Sequence, residues 1–235
     1  MKYAIIAAGE GSRLANEGIV VPKPLVRVGG EALIDRLLRI FLYNGATEVD
    51  VICNDLTSEV STHLYQKQQE GLPLNIVVKT TPSSMHSLYE LSGLLGDEPF
   101  CLTTVDTIFR EQEFSEYIAR FENLLACNEA DGLMGVTDFI DDEKPLHVVT
   151  DDDMNVKAFL DATDSPRFIS GGIYGLTPQS LQTLKRCIAR DESRMRNFQR
   201  ALVSDGLRLK AWTFSKVLDI DHAEDIRKAE EFLAG

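Results

Sequence analysis

The chain opens with a short apolar run, residues 3–8, that leads directly into Gly9 and Gly11. Beyond Arg13 it reaches Lys23, which is held between Pro22 and Pro24. An unbroken apolar run of this kind reads as a strand covered on both faces. A helix cannot continue through Pro22 and Pro24. The strand is therefore expected to deliver a long loop over residues 9–30, closed by Gly29 and Gly30. Loops of this length inside a compact domain are usually functional. A buried strand ending in a flexible, cationic backbone segment suits the reception of a polyanion.

Downstream, helical and extended spacing alternate. Leu33, Ile34, Leu37, Leu38, Phe41 and Leu42 recur at helical spacing and stop at Asn44-Gly45, a pair tolerant of the left-handed conformation. Residues 48–53, 74–79, 99–105 and 132–136 read as strands, and 57–69, 85–95 and 113–127 as helices. This alternation predicts an α/β fold, a three-layer Rossmann-like, mostly parallel sheet with helices on both faces. From residue 146 the rhythm changes. Residues 147–150 and 156–160 flank an Asp151-Asp152-Asp153-Met154-Asn155 turn and predict a small β-hairpin excursion. A strand over 167–176, helices over 178–189 and 194–203, a strand over 207–214 and an apolar run over 217–220 follow. Asp221-His222-Ala223-Glu224 has capping-box spacing, with Asp221 as the expected N-cap of a last helix. Nothing in composition divides the chain, so residues 1–235 are expected to form one domain.

The formal net charge of -13 argues against a nucleic-acid partner, because phosphate backbones are bound through basic surface. A small phosphorylated ligand needs only a few local cations and commonly brings a divalent metal. Cys53, Cys101, Cys127 and Cys187 are widely spaced and lack any C-x-x-C pattern. Three of them lie in apolar runs, as expected of buried thiols in a reducing compartment. No stretch approaches the length of a membrane span, and the first apolar run is too short for a signal peptide. A cytoplasmic location without membrane contact is the expectation.

Gly9-x-Gly11 after a strand invites the dinucleotide-binding reading, but Leu14 stands where the third glycine belongs, and the prolines forbid an immediate long helix. The glycines suit an anion-binding nest of backbone N–H groups. Arg13 offers a planar fork for phosphate oxygens and Lys23 a point charge. On these residues alone, an ordinary surface loop with solvated cations is the alternative.

The combination is more specific than its parts. Ala7-Ala8-Gly9-x-Gly11-Ser12-Arg13-Leu14, then Pro22-Lys23-Pro24-Leu25-Val26, then Gly29-Gly30 before an amphipathic helix, resembles the start of the nucleotidyltransferases that make nucleotide-activated sugars and related compounds. The likeness recurs near residues 84–106, 168–174 and 217–230. It implies that Gly9 and Gly11 bind triphosphate through their backbone, with Ala7 and Ala8 beside the base and ribose. Arg13 would stabilise the departing pyrophosphate and Lys23 would contact the α-phosphate. Asp106 and Asp219 would hold Mg²⁺, with Asp221 a further candidate, and Gly171 and Gly172 would lie on the acceptor strand.

Ser84, His86 and Ser87 stand where sugar-directed members carry a G-T-A or G-G motif. The polar pair followed by Ser87-Leu88-Tyr89 looks like the phosphocholine-type cytidylyltransferases and leans toward CTP. Two departures bear on the acceptor. Val105 replaces a glycine common in sugar-directed members, and the E-K-P motif whose lysine holds the sugar phosphate is missing, the chain reading Lys157-Ala158-Phe159 after Val156. The expected partners are therefore a nucleoside triphosphate and a small phosphorylated acceptor, sugar or alcohol. The expected reaction is Mg²⁺-dependent in-line attack on the α-phosphate with release of pyrophosphate. A catalytically idle nucleotide-binding module is the alternative.

Overall fold

The computed structural model describes residues 1–141 and 144–235. Strand β1 (Lys2–Ala7) divides its side chains between two cores, as a strand covered on both faces should. Tyr3, Ile5 and Ala7 enter one, and Ala4 and Ile6 the other. Beyond it come α1 (Ser12–Asn16), a 3-10 turn (Lys23–Leu25), the ribbon β2 (Arg27–Val28) and β3 (Glu31–Ala32), and α2 (Leu33–Tyr43). The alternating stretch is β4 (Val49–Cys53), α3 (Ser58–Gln69), β5 (Leu74–Val78), α4 (Ser84–Leu95), β6 (Phe100–Thr104), β7 (Thr107–Ile108), α5 (Glu111–Ala126) and β8 (Gly132–Thr137). The rest comprises β9 (His147–Thr150), β10 (Val156–Leu160), β11 (Phe168–Leu176), α6 (Gln179–Ala189), α7 (Met195–Ser204), β12 (Leu209–Phe214), β13 (Leu218–Asp219) and α8 (Ala223–Ala234).

Among the described residues the main sheet has nine strands, and its parallel half runs β5-β4-β1-β6. Beside β6 lies β11, antiparallel to it and paired also with β8 and β9. Following the pairings outward, only β10 and β11 run against the other seven strands. The sheet is thus mixed but mostly of one direction, and the β9–β10 hairpin extends it. Register on β11 breaks between Ser170 and Tyr174, at Gly171-Gly172, where Gly172 takes φ +70°. The glycine pair thus forms a bulge in the strand.

Helices α2, α3, α5 and α8 cover the face that receives Tyr3 and Ile5; α4, α6 and α7 cover the face of Ala4 and Ile6. The first core is unusually aromatic, with Tyr3, Phe41, Phe114, Tyr117, Phe109 and Phe214 linked by ring centroids 4.8 to 6.0 Å apart. Cys53, Cys101 and Cys187 are buried, whereas Cys127 is exposed. Among the described residues no helix is long and apolar enough to cross a membrane.

Two expectations need correction. Residues 9–30 are not one irregular loop, since they contain α1 and the β2–β3 ribbon. The N-cap of α8 is His222, one residue later than expected, because the Asp225 carboxylate accepts the His222 N–H at 2.8 Å and supplies the box one position on.

Candidate active site

Strands β1 and β6 lie side by side and leave the sheet at the same edge. The chain passes from β1 to β4 on one side while β6 flanks it on the other, so their carboxyl ends form a switch point of strand order, where α/β sheets bind ligands. There a cleft of about 470 Å³ is lined by Ala8, Gly9, Gly11, Arg13 and Lys23 from the first loop. Thr81, Pro82, Ser83, Ser84 and Ser87 line it from the start of α4, and Thr104, Val105 and Asp106 from the end of β6. Asp221 closes the cleft from the segment before α8.

Gly11 adopts φ +63° at the entry to α1, and a Cβ there would stand 3.0 Å from the Lys23 Cβ. A glycine thus lets the loop turn and lets its two limbs touch. Lys23 is only 10% exposed and donates to Asp106 Oδ2 at 2.5 Å and to Asp221 Oδ1 at 2.8 Å. Arg13 Nη1 donates to the other oxygen of Asp221 at 2.9 Å. Burial alone would lower the lysine pKa. The charge of Asp106 and the hydrogen bonds to Asp106 and Asp221 outweigh it, and the ammonium is held well above its ordinary value. For Asp221 burial pushes upward, but the Lys23 hydrogen bond and the charges of Lys23, Arg13 and His222 prevail, and its carboxyl is held low. Both groups are charged at neutral pH.

A second cleft of about 490 Å³ adjoins the first and shares Arg13 and Asp221 with it. Phe139, Ser170, Gly171, Arg196, Asp219 and Lys228 are among its walls. Asp219 ends β13, in register with Thr107 of β7, and so stands beside the Asp106 turn on the second-cleft side. The structure thus brings Asp221, rather than Asp219, onto Lys23 together with Asp106. Gly171 lines the second cleft, while Gly172 packs against Thr107, whose Oγ1 would stand 3.1 Å from an added Cβ.

Other expected residues sit further back. The Ala7 side chain is in the core, which leaves Ala8 at the cleft wall. His86 Nδ1 lies 2.9 Å from Ser83 Oγ, so it braces a cleft residue, while Ser84 and Ser87 line the cleft directly. Two residues escaped sequence reasoning. Asn54, buried after β4, donates weakly to the carbonyls of Ala8 and Gly9 at 3.4 and 3.3 Å. Glu17 ties the loop after β1 to α8, one oxygen 2.6 Å from His222 Nδ1 and the other accepting the Ala223 N–H at 2.7 Å. Lone polar residues carry no sequence signal for such partners; only the tertiary fold supplies it. Among the described residues no cluster of three or more His, Cys, Asp or Glu gathers for a metal. Asp106 and Asp221 instead converge on one ammonium.

A glycine loop, two cations, paired carboxylates and an adjoining second cleft thus gather at one switch point of an α/β sheet. The sequence model of the Nucleotidyl transferase family matches residues 2–234, and the chain belongs to that family and is a nucleotidyltransferase. It is 23% identical over 209 residues to a probable glucose-1-phosphate cytidylyltransferase of Bacillus subtilis (strain 168), covering 79% of this chain and 78% of the relative. A protein from Bacillus anthracis solved in complex with a sucrose superposes with a TM-score of 0.84 at 19% identity, covering 99% of this chain and 94% of that one. The inositol-1-phosphate CTP transferase from T. maritima gives a TM-score of 0.75 at 19% identity, covering 100% of this chain and 98% of that one. These two likenesses establish the fold.

Proposed function

We propose that this nucleotidyltransferase moves a nucleoside monophosphate from CTP to a small phosphorylated acceptor, a sugar phosphate or a phosphoalcohol, releasing pyrophosphate. One observation carries the reading: the ion-paired Arg13 and Asp221 stand at the wall shared by two clefts, and Asp221 links them to Lys23 and Asp106 inside the first. A donor and an acceptor bound in separate clefts must meet at such a wall. The name of the B. subtilis relative, directed at a cytidine nucleotide, supports CTP, as does the Ser84–Ser87 segment at the first cleft. Residues 1–235 act as one domain in this reading, and the buried thiols suit the cytoplasm.

In the first cleft, the Gly9 and Gly11 backbone receives the triphosphate, with Arg13 at the β- and γ-phosphates and Lys23 at the α-phosphate. The acceptor's phosphate oxygen attacks the α-phosphorus opposite the departing pyrophosphate. No general base is needed because that oxygen is already anionic. Lys23 and Arg13 neutralise the charge that spreads over the phosphates, and the clefts hold the reactants in line. Asp106, with Asp221 or Asp219, would hold Mg²⁺. One or two carboxylates completed by substrate phosphates is the donor set that ion prefers. The Lys23 ammonium lodged between Asp106 and Asp221 supports a pair of carboxylates disposed to receive positive charge. When bound, the ion supplies further neutralisation of the phosphates.

A screen of pyrophosphate release tests the reading, pairing CTP, UTP, GTP, ATP and dTTP with glucose-1-phosphate, inositol-1-phosphate, phosphocholine and phosphoethanolamine. CTP is expected to give the fastest turnover, and Lys23→Ala to lower kcat by about 100-fold or more with the fold intact. If no pair turns over with Mg²⁺, the chain is the idle nucleotide-binding module instead.

A further inference from the structure

Lys23, Arg13, Asp106 and Asp221 form a linked quartet of two cations and two carboxylates, with no net charge. We infer that Lys23 is the resident cation of this site. It keeps the metal position closed in the free protein, so the divalent ion enters only with a nucleoside triphosphate that draws the lysine away. The inference rests on the nucleotidyl-transfer reading only for the identity of that triphosphate.

Three observations carry it. The first is mutual exclusion. Oxygens of Asp106 and Asp221 that face the ammonium at 2.5 and 2.8 Å cannot also close on Mg²⁺ at about 2.1 Å without expelling it. The second is charge. A neutral quartet has no deficit for a metal to fill, whereas an arriving triphosphate offers both cations stronger partners and leaves two carboxylates uncompensated in a part-buried place. The third is mechanical. Pro22 and Pro24 flank the lysine in a 3-10 turn, and Gly11 packs against its Cβ, so the backbone is fixed and only the flexible stem can swing. The proline pair thereby gains a role beyond ending a helix.

The test is an electron paramagnetic resonance titration with Mn²⁺ and no turnover. Nucleotide-free wild type is expected to bind Mn²⁺ about tenfold or more weakly than wild type saturated with a non-hydrolysable CTP analogue. Lys23→Met, without nucleotide, is expected to bind Mn²⁺ about tenfold or more tightly than wild type, while Lys23→Arg, which keeps the charge, gains nothing. A Lys23→Met protein that binds Mn²⁺ no better than wild type overturns the inference. So does a nucleotide-free wild type that binds Mn²⁺ as tightly as with the analogue. Should Lys23→Met prove too unstable to titrate, its melting temperature is expected to rise with millimolar Mn²⁺ while that of wild type stays still, and equal responses overturn the inference. Failure of the proposed function would show separately, as no pyrophosphate release from wild type, and leaves the nucleotide-free comparison intact.

Discussion

Gly11 meets two demands that no other residue type meets together. Its φ of +63° is in the left-handed region, and its missing side chain leaves room for Lys23. Gly11→Ala is expected to cost about 1–2 kcal/mol from the backbone conformation, before any displacement of Lys23. Urea melts check that cost, and a rise in KM for the nucleotide checks the displacement. Asp50 shows the opposite case, a carboxylate set for no reaction. It is fully buried in β4, one oxygen accepts from Asn75 at 2.8 Å, and the other is buried without a hydrogen-bond partner. Burial raises its pKa, with Asn75 and Lys2 only partly opposing. The unfolded chain therefore gives up this proton first as pH rises, and stability is lost from the ordinary carboxylate range upward to the raised folded value. Asp50→Asn is expected to gain about 1 kcal/mol at pH 7, a gain that fades below about pH 4 when both states are protonated. Equal gains at pH 3.5 and pH 7 would refute this account.

Among the elements, the legible ones declare themselves through local periodicity. Strand β1 and helix α2 carry long apolar patterns, and their bounds fall within two residues of expectation. The one-turn α1 and the two-residue β2 and β3 hold too few residues for any pattern, so they vanish into an apparent loop. The segment before α8 is ambiguous in sequence for a different reason. Asp221 has capping-box spacing to Glu224, but His222 to Asp225 offers the same spacing one residue later. Glu17, more than two hundred residues away in sequence, decides between them by taking the Ala223 N–H. That choice releases Asp221 to join Arg13 and Lys23, which is why its part in the site could not be read locally. Glu17 is therefore expected to position the loop. Glu17→Gln weakens the charge-assisted bond to His222 and the helix start. It should raise the nucleotide KM several-fold with kcat nearly kept, and speed proteolytic cleavage within residues 17–22. A loop that stays as protected as in wild type would mean the tie is ornamental.

At the scale of the molecule, β11 joins what would otherwise be two sheets. Its C-terminal half pairs with β6 and its N-terminal end with β9, while β8 pairs with both halves. The strand also carries Gly171 into the second cleft, whereas the glycine loop of the first cleft hangs from β1. Gly175 lets this strand lie close under α5: a Cβ there would approach Phe121 Cδ1 to 2.8 Å and Tyr117 Oη to 2.9 Å. Neither ring can retreat, because both are fully buried in the aromatic core and Tyr117 Oη donates to the Leu133 carbonyl at 2.7 Å. Gly175→Ala must push β11 outward, and overpacking of this kind costs about 1–3 kcal/mol. In a chain of this size each kcal/mol lowers Tm by about 2–4 °C. The displacement should travel along β11 to Gly171 but reach β1 only through β6. The acceptor KM is therefore expected to rise more than the nucleotide KM, and steady-state kinetics with each substrate varied in turn measures the split. Equal changes in the two would mean that the sheet transmits the strain as one rigid body, and that the two clefts are not carried by separate strands in any energetic sense.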